Sequence, residues 1–203
     1  METIKVSSVE GEIEIRPLTV IIGTGSSLLL PHLWASLARP DAVFLPADRV
    51  CRLIGRHLSR HLIPRKLSES ASLLLRDIGI ELEVATRRPV VYVKTWSGRV
   101  ELARAPPGIR GVVAVILALS SMRFILIEDP EAHLHPSSQR LLARVIAEAV
   151  NSGKFVALAT HSDYLISEFN NLIALSNVSK DVIKKLRYRD AEVRGGCGLS
   201  REG

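Results

Sequence analysis

"FILIEDPEAHLHP", Phe124 to Pro136, is the stretch that decides how this chain is built. Its apolar residues Phe124 to Ile127 make a short strand. Two adjacent carboxylates, Glu128 and Asp129, follow at the C-terminal end of that strand. In open α/β sheets this is the edge where ligands sit. Neighbouring strand residues face opposite ways, so the two acids are expected to have different tasks. One can hold Mg²⁺, directly or through water. The other can orient or deprotonate an attacking water. Side by side the like charges repel, and a nearby cation relieves that repulsion. The alternative is a polar strand end solvated at the surface.

The flanking sequence alternates helix and strand. Downstream, Pro136 suits the first position of a helix reaching about Val150, with Leu141, Leu142, Val145, Ile146 and Ala149 on one face. Asn151-Ser152-Gly153 ends that helix. Phe155 to Thr160 reads as a strand, Asp163 to Phe169 as a helix capped by Ser162 or Asp163, and Leu172 to Leu175 as a strand. Upstream, Pro106-Pro107-Gly108 breaks the chain, and Ile109 to Ser121 is apolar nearly all round, as a buried helix is.

Nearer the N-terminus, Thr3 to Val6 and Glu12 to Ile15 form a strand pair about the Glu10-Gly11 turn. Leu18 to Ile22 is the next strand, and Leu28 to Leu37 can be helical if Pro31 lies in the first turn. Ala42 to Leu45 is a short strand. Leu53 to Ile78 has helical spacing broken at Pro64, and "VVYVKTWSGRVELA" is strand, Ser97-Gly98 turn and strand. The pattern predicts an α/β fold around a mainly parallel sheet with an N-terminal antiparallel pair. One domain is expected over residues 1–188. Residues 189–203, where apolar periodicity ceases, are expected to form a disordered tail, native or left by truncation.

Composition narrows the function. Hydrophobic residues are 47% and charged residues 24%, which suits a packed domain and not a disordered chain. Aromatics at 4% leave little for base-stacking platforms. The net charge of +6 permits a polyanionic partner, but Lys and Arg are scattered, so only weak nucleic-acid binding is expected. Cys51 and Cys197 lack metal or disulfide spacing. The longest apolar run, Val112 to Leu119, is far too short to span a bilayer. A soluble, cytoplasmic protein without a membrane partner is expected.

Phe124 to Pro136 resembles the Walker B and D-loop region of ABC-type ATPases. The nearest likeness is to the SMC-like and OLD-family branch, often labelled AAA-type. The resemblance implies a P-loop NTPase fold, ATP and Mg²⁺ as cofactors, and a homodimer or hetero-partner that completes the site. Carried over, Glu128 matches the Mg²⁺-coordinating acid, Asp129 the catalytic acid, and Glu131 to His135 the loop that contacts a second subunit. The family usually has Glu where Asp129 stands, and the shorter side chain draws the carboxylate back by roughly 1.5 Å. His161, in "VALATHSDYL", matches the switch residue that contacts the γ-phosphate. "APPGIRGVVAVILAL", Ala105 to Leu119, resembles the signature segment, with Gly108 and Arg110 fitting and Pro107 in place of the usual serine. An ordinary junction between a loop and a core helix is the other reading of that segment. In "FLPADRV", Arg49 is either a phosphate or acid contact or an ordinary surface arginine.

The same resemblance puts the phosphate-binding loop at Gly23, Thr24, Gly25, Ser26 and Ser27, with Ser27 as the hydroxyl toward Mg²⁺. A working loop has the form G-x-x-x-x-G-K-[ST]. "GTGSS" is three residues short of it and has no lysine. Two readings follow: an ATPase core with impaired hydrolysis, or a non-hydrolysing relative that serves as a binding or regulatory subunit or is a truncated gene product.

Overall fold

The computed structural model describes residues 4–8, 11–22, 26–47, 67–84 and 91–193. The loop residues Gly23, Thr24 and Gly25, Arg49, Cys51, the helix expected from Leu53 up to residue 66, and residues 194–203 with Cys197 lie outside them.

The chain begins with a hairpin of β1 (Ile4–Ser8) and β2 (Gly11–Ile15), antiparallel with Ile4 opposite Ile15. β3 (Leu18–Ile21) leads through residues 22–25 into α1 (Ser26–Leu37). Pro31 is the sixth residue of α1, beyond the first turn where the sequence alone would tolerate it. There it deprives the Ser27 carbonyl of its usual N–H partner. The helix persists because Leu30 and Leu33 are fully buried on the sheet below.

β4 (Ala42–Leu45) and α2 (Glu69–Asp77) follow. Next comes an antiparallel meander of β5 (Glu81–Val84), β6 (Val91–Thr95) and β7 (Gly98–Glu101). After a short turn of 3₁₀ helix come α3 (Pro107–Ser121), β8 (Phe124–Glu128), α4 (Pro136–Asn151), β9 (Phe155–Ala159), α5 (Asp163–Leu175), α6 (Lys180–Lys185) and α7 (Asp190–Val193). At the end of α4, Gly153 is left-handed (φ 94°) and its N–H bonds the Val150 carbonyl at 2.9 Å, a conformation that favours glycine.

The central sheet has the order β3-β9-β8-β4, and every neighbouring pair is parallel. β8 and β9 are buried along their whole length, as continuous apolar strands covered on both faces must be. Side-chain alternation separates the two covers. Leu126, Ala157 and Ala159 meet Leu30 and Leu33 of α1. Ile125, Ile127, Val156 and Leu158 join the larger core with α2, α3, α4 and α5. The fold is thus the expected α/β layering about a mainly parallel sheet, with the antiparallel meander as a separate sheet on the same core.

Two segments differ from expectation. Leu172 to Leu175 is not a strand but the last part of α5, because Leu165, Phe169 and Leu172 recur at helical spacing on its buried face. Order also continues past Tyr188. Asn151 Nδ2 donates to the Ala191 and Glu192 carbonyls at 3.1 and 3.0 Å, and Val193 is buried. Residues 189–193 therefore pack with α4 and do not belong to a tail.

Candidate nucleotide site

The C-terminal ends of the four parallel strands meet at one edge. Register pairs Ile21 and Glu128 with Ala159, and Leu45 with Ile127. Glu128, Asp129, Thr160, His161 and the start of α1 at Ser26 and Ser27 are therefore gathered at that edge.

Glu128 is only 6% exposed, and its Oε2 accepts the Ala47 N–H at 2.9 Å. The carboxylate thus holds the chain leaving β4. Asp129 turns out of the strand in the left-handed region (φ 38°), which aspartate tolerates better than most residues. Its N–H still bonds the Ala159 carbonyl at 2.9 Å, so the acid stays tied to the sheet end.

Two turns carry the chain on to α4. Ala132 N–H bonds the Asp129 carbonyl and Leu134 N–H the Glu131 carbonyl, each at 3.0 Å. His133 is left-handed (φ 66°) and lies over Gly108. A Cβ on Gly108 would come within 2.9 Å of His133 Cβ, so only glycine fits at this contact. Gly108 is the second residue of α3. Pro106 to Ile109 and His133 to His135 face each other across an open groove of about 460 Å³. The signature-like and D-loop-like segments are thus neighbours within one chain.

At the end of β9, His161 is exposed while its neighbours Thr160 and Ser162 are buried. Ser162 caps α5, its Oγ accepting the Leu165 N–H at 3.2 Å and donating to Gln139 Oε1 at 2.5 Å. Glu131 Oε1 accepts the Thr160 hydroxyl at 2.6 Å and the His161 N–H at 3.3 Å. From sequence alone Glu131 belongs only to a partner-contacting loop, and Thr160 and Gln139 have no role. The "PE" after the acids and the "THS" after β9 are the signal that could have linked them.

The AAA ATPase domain family, AAA_15, matches residues 119–166, which hold the acid strand, the following loop and the histidine turn. The energy-coupling factor transporter ATP-binding protein EcfA1 of Thermotoga maritima is 26% identical over 190 residues, covering 85% of this chain and 73% of that protein. By these two matches the chain is similar to ATPases of the ABC/AAA type. A solved structure, the SMC head domain from Thermotoga maritima, aligns with a TM-score of 0.43 and 12% identity, over 66% of this chain. This ATPase-like chain spans about half of that head domain, 48% of its length. Among its described residues no helix is long and apolar enough to cross a membrane.

Proposed function

We propose that this ATPase-like protein retains the acidic and histidine side of a nucleotide site but grips the phosphates poorly. The observation that carries this reading is the short link between β3 and α1. It occupies residues 22–25, and no lysine lies between Gly23 and Ser27. A loop that encircles a β-phosphate needs a run of inward N–H groups and a lysine. Ser26 and Ser27 begin α1, so the helix N-terminus still offers its dipole to an anion.

The remaining residues suit ATP with Mg²⁺. Glu128 and Asp129 are hard oxygen donors of the type that Mg²⁺ takes. Among the described residues no three His, Cys, Asp or Glu side chains form a metal-binding group. An ion held by Glu128, with Ser27 as second ligand, would draw its other ligands from phosphate and water. Mg²⁺ would supply charge neutralisation between phosphates. Asp129 would accept the proton of the attacking water, and His161, exposed at the end of β9, would contact the γ-phosphate. Gly108, at the start of α3, would present its N–H to nucleotide held by a second copy or a related partner. Hydrolysis by the chain alone would then be negligible. The retracted carboxylate of Asp129 favours a second reading, a non-hydrolysing subunit that binds or regulates. Cytoplasmic placement and weak, salt-sensitive nucleic-acid contact fit either reading.

The test is a gain of function. Replacing Gly23 to Ser27 with an eight-residue loop carrying Gly-Lys-Ser should bring saturable binding of a fluorescent ATP analogue into the micromolar range. Failure of a folded loop variant to bind would remove the acid edge from any nucleotide site.

A further inference from the structure

Glu131 is placed where it can govern His161. It is 8% exposed, and one of its oxygens, Oε1, receives both the Thr160 hydroxyl at 2.6 Å and the His161 N–H at 3.3 Å. The Thr160 Oγ1 in turn accepts the Ser162 N–H at 3.0 Å. Successive polar groups of the turn thus lead back to a single carboxylate. A bond from a hydroxyl to a carboxylate is short and charge-assisted, and 2.6 Å lies in that range.

A second tie runs in parallel. Gln139 Nε2 donates to the Leu134 carbonyl at 2.9 Å, and its Oε1 receives the Ser162 hydroxyl. The loop that starts at Asp129 and the turn that carries His161 are therefore joined at both ends. The His161 side chain is exposed between these buried ties. The other Glu131 oxygen, Oε2, is buried and accepts no hydrogen bond from the described residues. A glutamate held by one oxygen only is poorly explained as a stabilising group, since a buried acceptor without a donor carries a cost.

We propose that Glu131 is a positioning residue that sets the backbone of His161 and couples it to the Asp129 loop. Its catalytic meaning rests on the nucleotide-site reading above, but the coupling itself does not. If Asp129 or its loop shifts, Glu131 transmits that shift to the backbone on which the exposed imidazole is mounted. The arrangement makes His161 responsive to the acid side of the site through Glu131.

Amide hydrogen exchange and histidine ring signals, followed by NMR on the free full-length chain, test this. In Glu131→Ala, exchange at His161 and Ser162 should accelerate by about tenfold relative to Ile125 in β8, the effect of losing one such bond. The His161 ring signals should shift or broaden. Glu131→Gln keeps an acceptor and should restore much of the protection. Thr160→Val keeps the His161 N–H bond and should free Ser162 more than His161. Unchanged His161 exchange in folded Glu131→Ala, or equal acceleration at Ile125, would overturn the proposal. If Glu131→Ala does not fold, Glu131→Gln and Thr160→Val decide by the same pattern. In a chain with the restored Gly-Lys-Ser loop, Glu131→Ala should lower kcat with little change in KM, and Glu131→Gln should recover much of that loss. Absence of turnover in every loop-restored chain would count against the nucleotide reading alone, with the NMR result still standing.

Discussion

Glu168 is 1% exposed inside the helical layer, and its Oε1 meets Arg144 Nε at 2.7 Å. The same guanidinium donates to the Arg187 carbonyl at 3.3 Å and lies over the Tyr188 ring, 4.0 Å from its centroid. Breaking a buried pair from one side strands the other charge, so Glu168→Ala should cost about 3–5 kcal/mol in urea unfolding. Tyr188 adds a pH signature. Burial raises its phenol pKa above the usual 10, and the Glu168 carboxylate raises it further. Below about pH 10 the phenol is neutral both folded and unfolded. Above it the unfolded chain ionises first, so this contribution to stability is lost as pH rises toward the folded value. Tyr188→Phe should flatten the loss of stability as pH rises above about 10, measured by urea midpoints. An equally steep loss in the variant would exclude Tyr188 as its source. None of this was legible beforehand. Arg144, Glu168 and Tyr188 are distant in sequence, and ordinary surface charges look the same as buried ones until packing brings them together.

At the scale of elements, α1 holds the least expected feature. Pro31 interrupts its hydrogen-bond ladder one residue from fully buried Leu30. Pro31→Ala should therefore raise stability by about 1–3 kcal/mol, read as an upward shift in the melting temperature. No gain would mean that the local backbone has already adapted around the ring. Elements with long, clean periodicity were readable in advance: α4, β8 and β9 stand close to where their apolar patterns put them. The short apolar run Leu172 to Leu175 was misleading, because four such residues fit a buried strand or a helix end equally well. β5, Glu81–Val84, was missed although "ELEV" alternates. Its pairing is supported by the meander itself, with Glu83 bridging Lys94 at 3.4 Å and Arg99 at 3.2 Å. The candidate site divides in the same way. Glu128, Asp129 and His161 were nameable because motif chemistry sits at strand ends. Thr160 and Gln139 were not, and Glu131 was placed only in a partner-contacting loop, because the ties these three make lie in whom they touch.

For the whole molecule, the question is whether this fold binds Mg·ATP well enough to act. An ABC-type pair of protomers is held together largely through shared nucleotide, so a chain that holds phosphate poorly should remain monomeric. Sedimentation at micromolar concentration without nucleotide should give a monomer, and a tight dimer would contradict this. Binding strength is the more direct matter. Each charge-assisted bond to phosphate is worth roughly 1.5–3 kcal/mol. Loss of a lysine and one or two N–H donors removes on the order of 3–9 kcal/mol. A micromolar site, at about −8 kcal/mol, would fall to roughly millimolar or weaker. On the proposed reading Glu128, Asp129 and His161 would act on other parts of the nucleotide and would not substitute for a β-phosphate anchor. Calorimetric titration of the natural chain with Mg·ATP measures this directly. The account predicts a dissociation constant of about millimolar or weaker. A low-micromolar constant would show that another basic residue, Arg49 first among them, does the work of the missing lysine, and the weak-grip reading would fail.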